Sequence, residues 1–516
     1  MKNISIKNLV LLLLLMVLTA FSAGCYQDSE NDKNVFIYGT MAYGPAMGNA
    51  GTNPHDGYTG WSTLRYGIGE TLFKFNDAME VVPWLAKDYA NIDECTVKIN
   101  LRDDVHFSNG QKVTGEAVKA CLEALIAKNV RARQDLKISS IDAEAQTVTL
   151  HLKQKVPALI NYLADPYSCI IDVTAGENNR IITGTGPYIP VSVTDKELLL
   201  KKNDNYWGEN KPQIAEIIVQ GISDGNTLTM AMQSGELDAV QGIPYANLEL
   251  FQDKDKYQLS TAETSRTYQI AFNFKSQALQ DRRVRKAIAM AIDKEGFAKI
   301  LLHGQGTAAK GPFPDSLSFG DGKITAEEQG DLAVAKQLLA DAGYIDTDGD
   351  GIVEKDGKPL RLRYLTYTSR QELPLLAEAV QADLKKIGID TIVNATDNFR
   401  DFRDSGEFDL YANAFVTAPT GDPEYYFSAH FGKAAPANFG YYQNEKLMAL
   451  LTDLATAYGA AKRADLAVRM EQLLMDDLPY VYIAHLRMSL LLKSNVHGLK
   501  AHPSDYYEIT SDIGKE

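Results

Sequence analysis

Three groups of residues have the types and spacing to do chemistry. Gly221-Ile222-Ser223-Asp224-Gly225 fits G-x-S-x-G and sits between a strand-like run and a helix-like one, where a nucleophile elbow would expose a serine for acyl transfer. In the other reading, Ser223 or Asp224 caps the helix that starts near Asn226 while the glycines supply the turn. A triad would also need an acid and a later histidine, and His303, His430, His485, His497 and His502 stand in no recognisable partner motif. Asp346-Thr347-Asp348-Gly349-Asp350-Gly351 copies the first half of a calcium loop, with oxygen ligands at alternate positions before the glycine. The twelfth position is Gly357 where a bidentate glutamate belongs, and Glu354 at the ninth compensates only in part. A weak calcium site at Asp346, Asp348 and Asp350 therefore competes with a solvated turn ahead of the strand at Arg361. The eight histidines form no H-E-x-x-H pattern, and no Walker A sequence occurs, so neither an all-protein metal cage nor ATP hydrolysis is supported.

The elements that must position these residues read as alternating strands and helices. Strands are expected at Val35 to Tyr38, Thr96 to Leu101, Thr147 to Leu152, Leu198 to Lys201, Ala215 to Gln220, Arg361 to Tyr367 and Asp390 to Asn394. Val284, Ala287, Ile288, Ala291 and Ile292 make one apolar helical stripe. Leu376, Ala379, Val380, Leu384 and Ile387 make another, stopped at Gly388. Residues 445 to 477 read as two helices broken near Tyr458-Gly459, and the segment Leu259 to Tyr268 as a linker where a hinge could sit. This interleaving defines an α/β class.

The amino terminus carries Lys2 and Lys7 ahead of an apolar run from Leu9 to Leu18. That run is too short to span a bilayer and is followed by a polar stretch, so residues 1-24 are expected to be a secretory signal. Phe21-Ser22-Ala23-Gly24-Cys25 resembles a bacterial lipobox, which makes Cys25 the expected lipid anchor, outside the cytoplasmic membrane, and 25-34 a tether. Ser22 departs from the leucine usual three residues before such a cysteine. The formal net charge is −15, or −17 without the two signal lysines, which argues against a nucleic-acid partner. Cys95, Cys121 and Cys169 remain and allow at most one disulfide. With 45% hydrophobic and 23% charged residues, ordinary cores are expected rather than disorder. A mature chain of about 490 residues suggests two to three domains.

A series of ordered segments resembles the peptide- and nickel-binding family of ABC-importer solute receptors, solute-binding family 5. These are Arg65 to Leu72 running into Val82 to Tyr89, then Leu101-Arg102-Asp103-Asp104-Val105-His106-Phe107-Ser108-Asn109-Gly110, Gly184-Thr185-Gly186-Pro187-Tyr188, Asn205-Tyr206-Trp207-Gly208, Ser234 to Asp238, and Asp281 through Val284-Arg285-Lys286-Ala287-Ile288 to Asp293. The resemblance implies a two-lobed periplasmic-binding-protein-like clamp of type II, cluster C, with an extra subdomain on the first lobe. It assigns 35-60, 181-265 and 485-516 to lobe I, 61-180 to the subdomain and 266-484 to lobe II. It further implies no catalysis, capture of a nickel chelate or a short peptide, delivery to permease subunits with their ATPase, and a monomer; the contrasting reading is a lipoprotein hydrolase using Ser223.

For the ligand, the resemblance points to Asp422 in Thr420-Gly421-Asp422-Pro423-Glu424-Tyr425, an acid that in peptide binders pairs with the amino terminus. The alternative is capping the helix that begins at Pro423. Arg131 and Arg133, after the helix Val118 to Lys128, would meet a chelator's carboxylates, or be solvated surface arginines. His430 would complete nickel coordination, since imidazole suits that metal. Tyr66, Phe415, Tyr367 and Tyr425 are candidate aromatic walls. Nickel here would be cargo, not a resident cofactor.

Overall fold

Continuous apolar runs form the buried strands. Val35–Thr40 lies inside an eleven-stranded sheet, ten strands of which form one path while Gly306–Ala308 pairs with Tyr480–Lys493 off it. From one edge the order is Asp390–Ala395, Arg361–Thr366, Leu410–Val416, Tyr257–Phe272, Tyr480–Lys493, Ala239–Gln241, Val35–Thr40, Glu216–Gly221, Glu197–Lys202 and Tyr188–Val193. The computed structural model describes residues 34–326, 330–433 and 435–516. The expected secretory signal, the expected anchor Cys25 and all but the last residue of the expected tether lie outside the described residues. Among those described, no helix is long and apolar enough to cross a membrane.

The expected strands are present within a residue or two, and Thr96–Leu101 and Thr147–Leu152 match at both ends. Those two form the middle of a separate four-stranded sheet with Ala86–Asp93 and Ile138–Glu144, covered by the helix Gly115–Lys128. The segment expected as a linker is not a loop. It is part of a sixteen-residue strand, Tyr257–Phe272, antiparallel to the fourteen-residue Tyr480–Lys493. The pairing shifts register between Glu263 and Thr267, inside the expected hinge segment. A bulge of this kind loosens the ladder and bends the strand. Near Lys493 the pair joins Ala239–Gln241; near Tyr480 it joins Leu410–Val416.

The helical stripes bury the residues their spacing selects. Val284, Ala287 and Ile288 of Arg282–Ala291, with Leu376, Val380 and Leu384 of Glu372–Lys385, pack on Tyr268, Ile270 and Phe272 of the long strand. Each large aliphatic chain so buried contributes about 1.5–3 kcal/mol. Gly388 at φ +84° ends the second helix region, and Gly459 at φ +90° separates Glu445–Leu454 from Ala460–Asp477. Cys95, Cys121 and Cys169 are all free thiols, so no disulfide ties them together.

Candidate ligand-binding cleft

Asn129 leaves the long helix in an extended conformation and accepts the backbone N–H of Ala132 at 3.0 Å, which starts a new short helix, Val130–Leu136. Arg131 and Asp135 stand four residues apart on it and share a face. The Arg131 guanidinium reaches Asp165 Oδ2 at 2.6 Å and Asp135 Oδ2 at 3.5 Å. It lies over the Tyr167 ring at 5.1 Å and near the Tyr425 ring at 6.0 Å. Tyr167 O–H donates to Asp135. Asp165 is 1% exposed and burial raises its pKa against the opposing pull of Arg131. Burial likewise pushes Asp135 up to about 6, again opposed by Arg131. Arg131 itself stays 37% exposed, so part of its donor fork remains open.

Tyr425, on the helix Glu424–Phe431, stacks on Phe415 of the strand Leu410–Val416 at 5.8 Å and 21°. The loop before that helix is docked from the other side. Asn161 Nδ2 donates to Thr420 O at 2.8 Å and Tyr506 O–H to Pro419 O at 3.0 Å. Gly421, at φ +65°, lies so close to Met79 O that an added Cβ would stand 2.3 Å from it. Segments far apart in sequence are thus brought together here, with Arg131 beside Tyr425 and Tyr425 stacked on Phe415.

Other sequence expectations are corrected. Asp422 is no open anchor: Arg463 Nε and Nη2 each donate to one of its carboxylate oxygens at 2.6 Å. Its Oδ1 also accepts Glu424 N–H at 2.9 Å, a bond to the helix's first turn. Arg133 points away and donates to the Ile126 and Ala127 carbonyls, closing the end of the preceding helix. His430 is 0% exposed inside an aromatic cluster, with Nδ1 at 2.9 Å from Tyr480 Oη and Phe415 at 4.5 Å between ring centroids. Burial lowers its pKa to about 3, so the ring is neutral, but a metal could reach it only by displacing that packing. Tyr66 is fully buried against Tyr38 and Tyr43, a core residue instead of a wall. Tyr367 is half-buried; its Oη accepts Ala414 N–H at 3.1 Å and its ring packs on Phe399.

Ser223 is exposed, and Asp224 caps the helix Gly225–Gln233 by accepting Thr227 N–H at 2.7 Å. In the acidic loop, Asp346 accepts the N–H groups of Gly349 and Gly351, and Asp350 that of Ile352. The carboxylates that converge are Asp346, Asp348 and Glu354; Asp350 is not among them. These bonds are what a solvated turn needs by itself.

The sequence reading missed Asp135, Asp165 and Tyr167, which frame Arg131. The four-residue spacing of Arg131 and Asp135 was a usable signal, and Asp165-Pro166 a recognisable turn start. Nothing local marked Arg463 as the partner of Asp422.

Arg131 with its acids, beside the stacked Tyr425 and Phe415, is the candidate site for a solute. The family model for bacterial extracellular solute-binding proteins, family 5, matches residues 80–438, and the chain belongs to that family. The nickel-binding protein NikA of Staphylococcus aureus is 29% identical over 450 residues, covering 86% of this chain and 89% of its own. The crystal structure of NikA from Staphylococcus aureus with Ni(L-His)2 is similar at a TM-score of 0.76 and 26% identity, over 94% of this chain and 100% of the other. The oligopeptide-binding protein AppA of Bacillus subtilis is 23% identical over 97% of both chains. The family's members are binding receptors and not enzymes.

Proposed function

We propose that this protein is the receptor of an ABC import system that encloses a nickel chelate and delivers it to permease subunits and their ATPase. The observation that carries the chelate over the peptide is the occupation of Asp422. An acid already neutralised by two bonds from Arg463 is a poor anchor for a peptide's ammonium, whereas the open part of the Arg131 fork suits a chelator's carboxylate. Likeness to the nickel-binding relative supports the same reading. A short peptide is the second reading, supported by likeness to AppA over nearly the whole chain.

In this reading residues 35-60, 181-265 and 485-516 make the first lobe, 61-180 its subdomain and 266-484 the second lobe. The lobes pivot at the register shift between Glu263 and Thr267. Closure is the conformation the permease recognises, so ligand binding and delivery are linked through one population shift. The receptor acts as a monomer, held outside the cytoplasmic membrane through lipid on Cys25. Cys25→Ser should release it from membranes; retention would count against the anchor.

Native mass spectrometry with metal analysis of the purified protein tests the ligand. Nickel together with a small organic mass is expected. A bound peptide without metal would remove the chelate reading.

A further inference from the structure

Glu471 lies on the helix Ala460–Asp477 and is 0% exposed, and among the described residues neither of its carboxylate oxygens has a hydrogen-bond partner. Buried polar groups are almost always bonded, so a carboxyl left this way calls for an explanation. Its neighbour is a second acid. A Cβ placed on Gly311 would stand 3.1 Å from Asp321 Oδ1 and 3.2 Å from Glu471 Oε2, so the two carboxyl groups flank one glycine. Asp321 is well supplied: its oxygens accept Lys310 N–H and Gly311 N–H at 2.7 Å each, and His485 Nε2 lies 2.9 Å from Oδ2.

These acids are joined to the pivot. His485 Nδ1 lies 2.9 Å from Thr267 Oγ1, whose hydroxyl donates to Pro312 O at 3.1 Å. Thr267 is where the strands Tyr257–Phe272 and Tyr480–Lys493 resume pairing after the register shift. The helix that carries Glu471 also carries Arg463, whose bonds to Asp422 and Glu424 fix the loop that lies against Met79. The other titratable groups beside the two acids are Tyr482 and His485 of the strand Tyr480–Lys493, Tyr426 of the helix Glu424–Phe431, and Lys294. The two tyrosine hydroxyls are bonded to each other and to Gln269, and Lys294 Nζ donates to Ala309 O at 3.0 Å. The strand Tyr257–Phe272 contributes Thr267 and Gln269, neither of them charged. An ionised Glu471 would thus stand beside the Asp321 charge with no donor of its own, out of water, which is costly. Burial first, then the Asp321 charge, push the Glu471 carboxyl well above the usual carboxylate range.

We infer that Glu471 is a buried, proton-carrying lock on the pivot. Protonated, it lets the helix Ala460–Asp477 pack against the strand pair and holds the cleft closed on its solute; ionised beside Asp321, it is driven toward water, loosens that packing and releases the solute. This rests on the receptor reading above and deepens it by adding regulation by pH. A carboxyl with a raised folded-state pKa stabilises fully below its unfolded value, and that contribution is lost as pH rises through the folded value, so solute is released on the alkaline side.

The test uses the full mature chain with Glu471→Gln and Glu471→Met, which are neutral at every pH; the second guards against a folding defect in the first. Urea midpoints are compared from about pH 6 to about pH 9.5, a window that spans ionisation of a raised carboxyl. Dissociation of Ni(II) with L-histidine, or of trialanine, is followed by stopped flow at the same pH values, each variant against wild type so that the titration of the probe itself cancels. At the acid end wild type and the neutral variants should release the probe at the same rate. At the alkaline end wild type should release it about tenfold faster than Glu471→Gln and unfold at lower urea. Parallel pH profiles for wild type and the neutral variants, in midpoint or in release rate, overturn the lock and leave the receptor reading standing. So does a wild-type midpoint set by sodium or potassium at constant ionic strength, which would put a cation in the place of the proton. Capture of neither probe by wild type at any pH overturns the receptor reading, and the midpoint comparison still decides the lock.

Discussion

Arg463 and Arg131 are the same side chain in opposite circumstances. Arg463, on the helix Ala460–Asp477, is enclosed by Asp422, Glu424 and the carbonyls of Leu454 and Ala457. Its guanidinium has partners on every side, and it ties the 421–424 loop to the helix behind it. Arg131 is held from below by Asp165 and Asp135 and left open above, toward Tyr425. A charge with every donor spent builds the frame, while a charge with donors in reserve can bind a guest. The distinction depends on how many partners the fold supplies and not on the residue type.

The sharpest way to break this contrast is Arg463→Met. It leaves Asp422 and Glu424 beside an apolar chain, and removing one partner of a buried pair costs about 3–5 kcal/mol. A urea unfolding midpoint should fall accordingly, and an unchanged midpoint would mean that the clamp is not structural.

Glu70 extends the comparison to an acid held without a guanidinium. It accepts Tyr206 O–H at 2.6 Å and Trp207 Nε1–H at 2.7 Å, and burial raises its pKa to about 7. A carboxyl whose folded pKa is raised binds its proton more tightly in the folded state. Its stability contribution is therefore complete below the unfolded value near 4.5 and is lost as pH rises through about 7. That contribution is on the order of 3 kcal/mol. The stability difference between wild type and Glu70→Gln, measured by urea titration, should shift against wild type over that window; a constant difference would sink the assignment.

Arg131→Gln acts on the open side. Solute affinity should drop by about 100-fold, the scale of a lost charge-assisted fork. Unfolding stability should move by no more than about 2 kcal/mol, because Asp165 can take up a proton. A stability loss as large as that of Arg463→Met would erase the contrast.

The smallest effect belongs to closure. Gly421→Ala places a side chain at φ +65° and against Met79 O. The left-handed conformation costs about 1–2 kcal/mol for a residue other than glycine. Affinity should fall about tenfold through a faster off-rate, with a larger radius by small-angle scattering in the presence of solute. If the solute dissociates at the wild-type rate, the loop does not gate the cleft.

Much of the frame was legible in the residues. The strands Thr96–Leu101 and Thr147–Leu152, the stripe from Val284 to Ala291 and the breaks at Gly388 and Gly459 follow from patterns a few residues long, and the ordered segments from Arg65 to Asp293 pointed to the family. The site was legible only in part. Arg131 and Arg133 are two positions apart on a helix, so they project in widely different directions, one toward Tyr425 and the other onto the carbonyls of Ile126 and Ala127. The only local signal that separates them is the four-residue spacing of Arg131 and Asp135.

The sequence by itself determined where helices and strands form, because periodicity, caps and glycine turns act between near neighbours. It also carried the export and lipobox-like pattern and the family likeness. Only the tertiary structure decided which charges are spent. Arg463 comes to Asp422 from 41 residues away, and Arg131 reaches Asp165 across two separate elements. Such partnerships arise from packing between distant segments, where side-chain direction and burial, not local pattern, fix the neighbours of each charge.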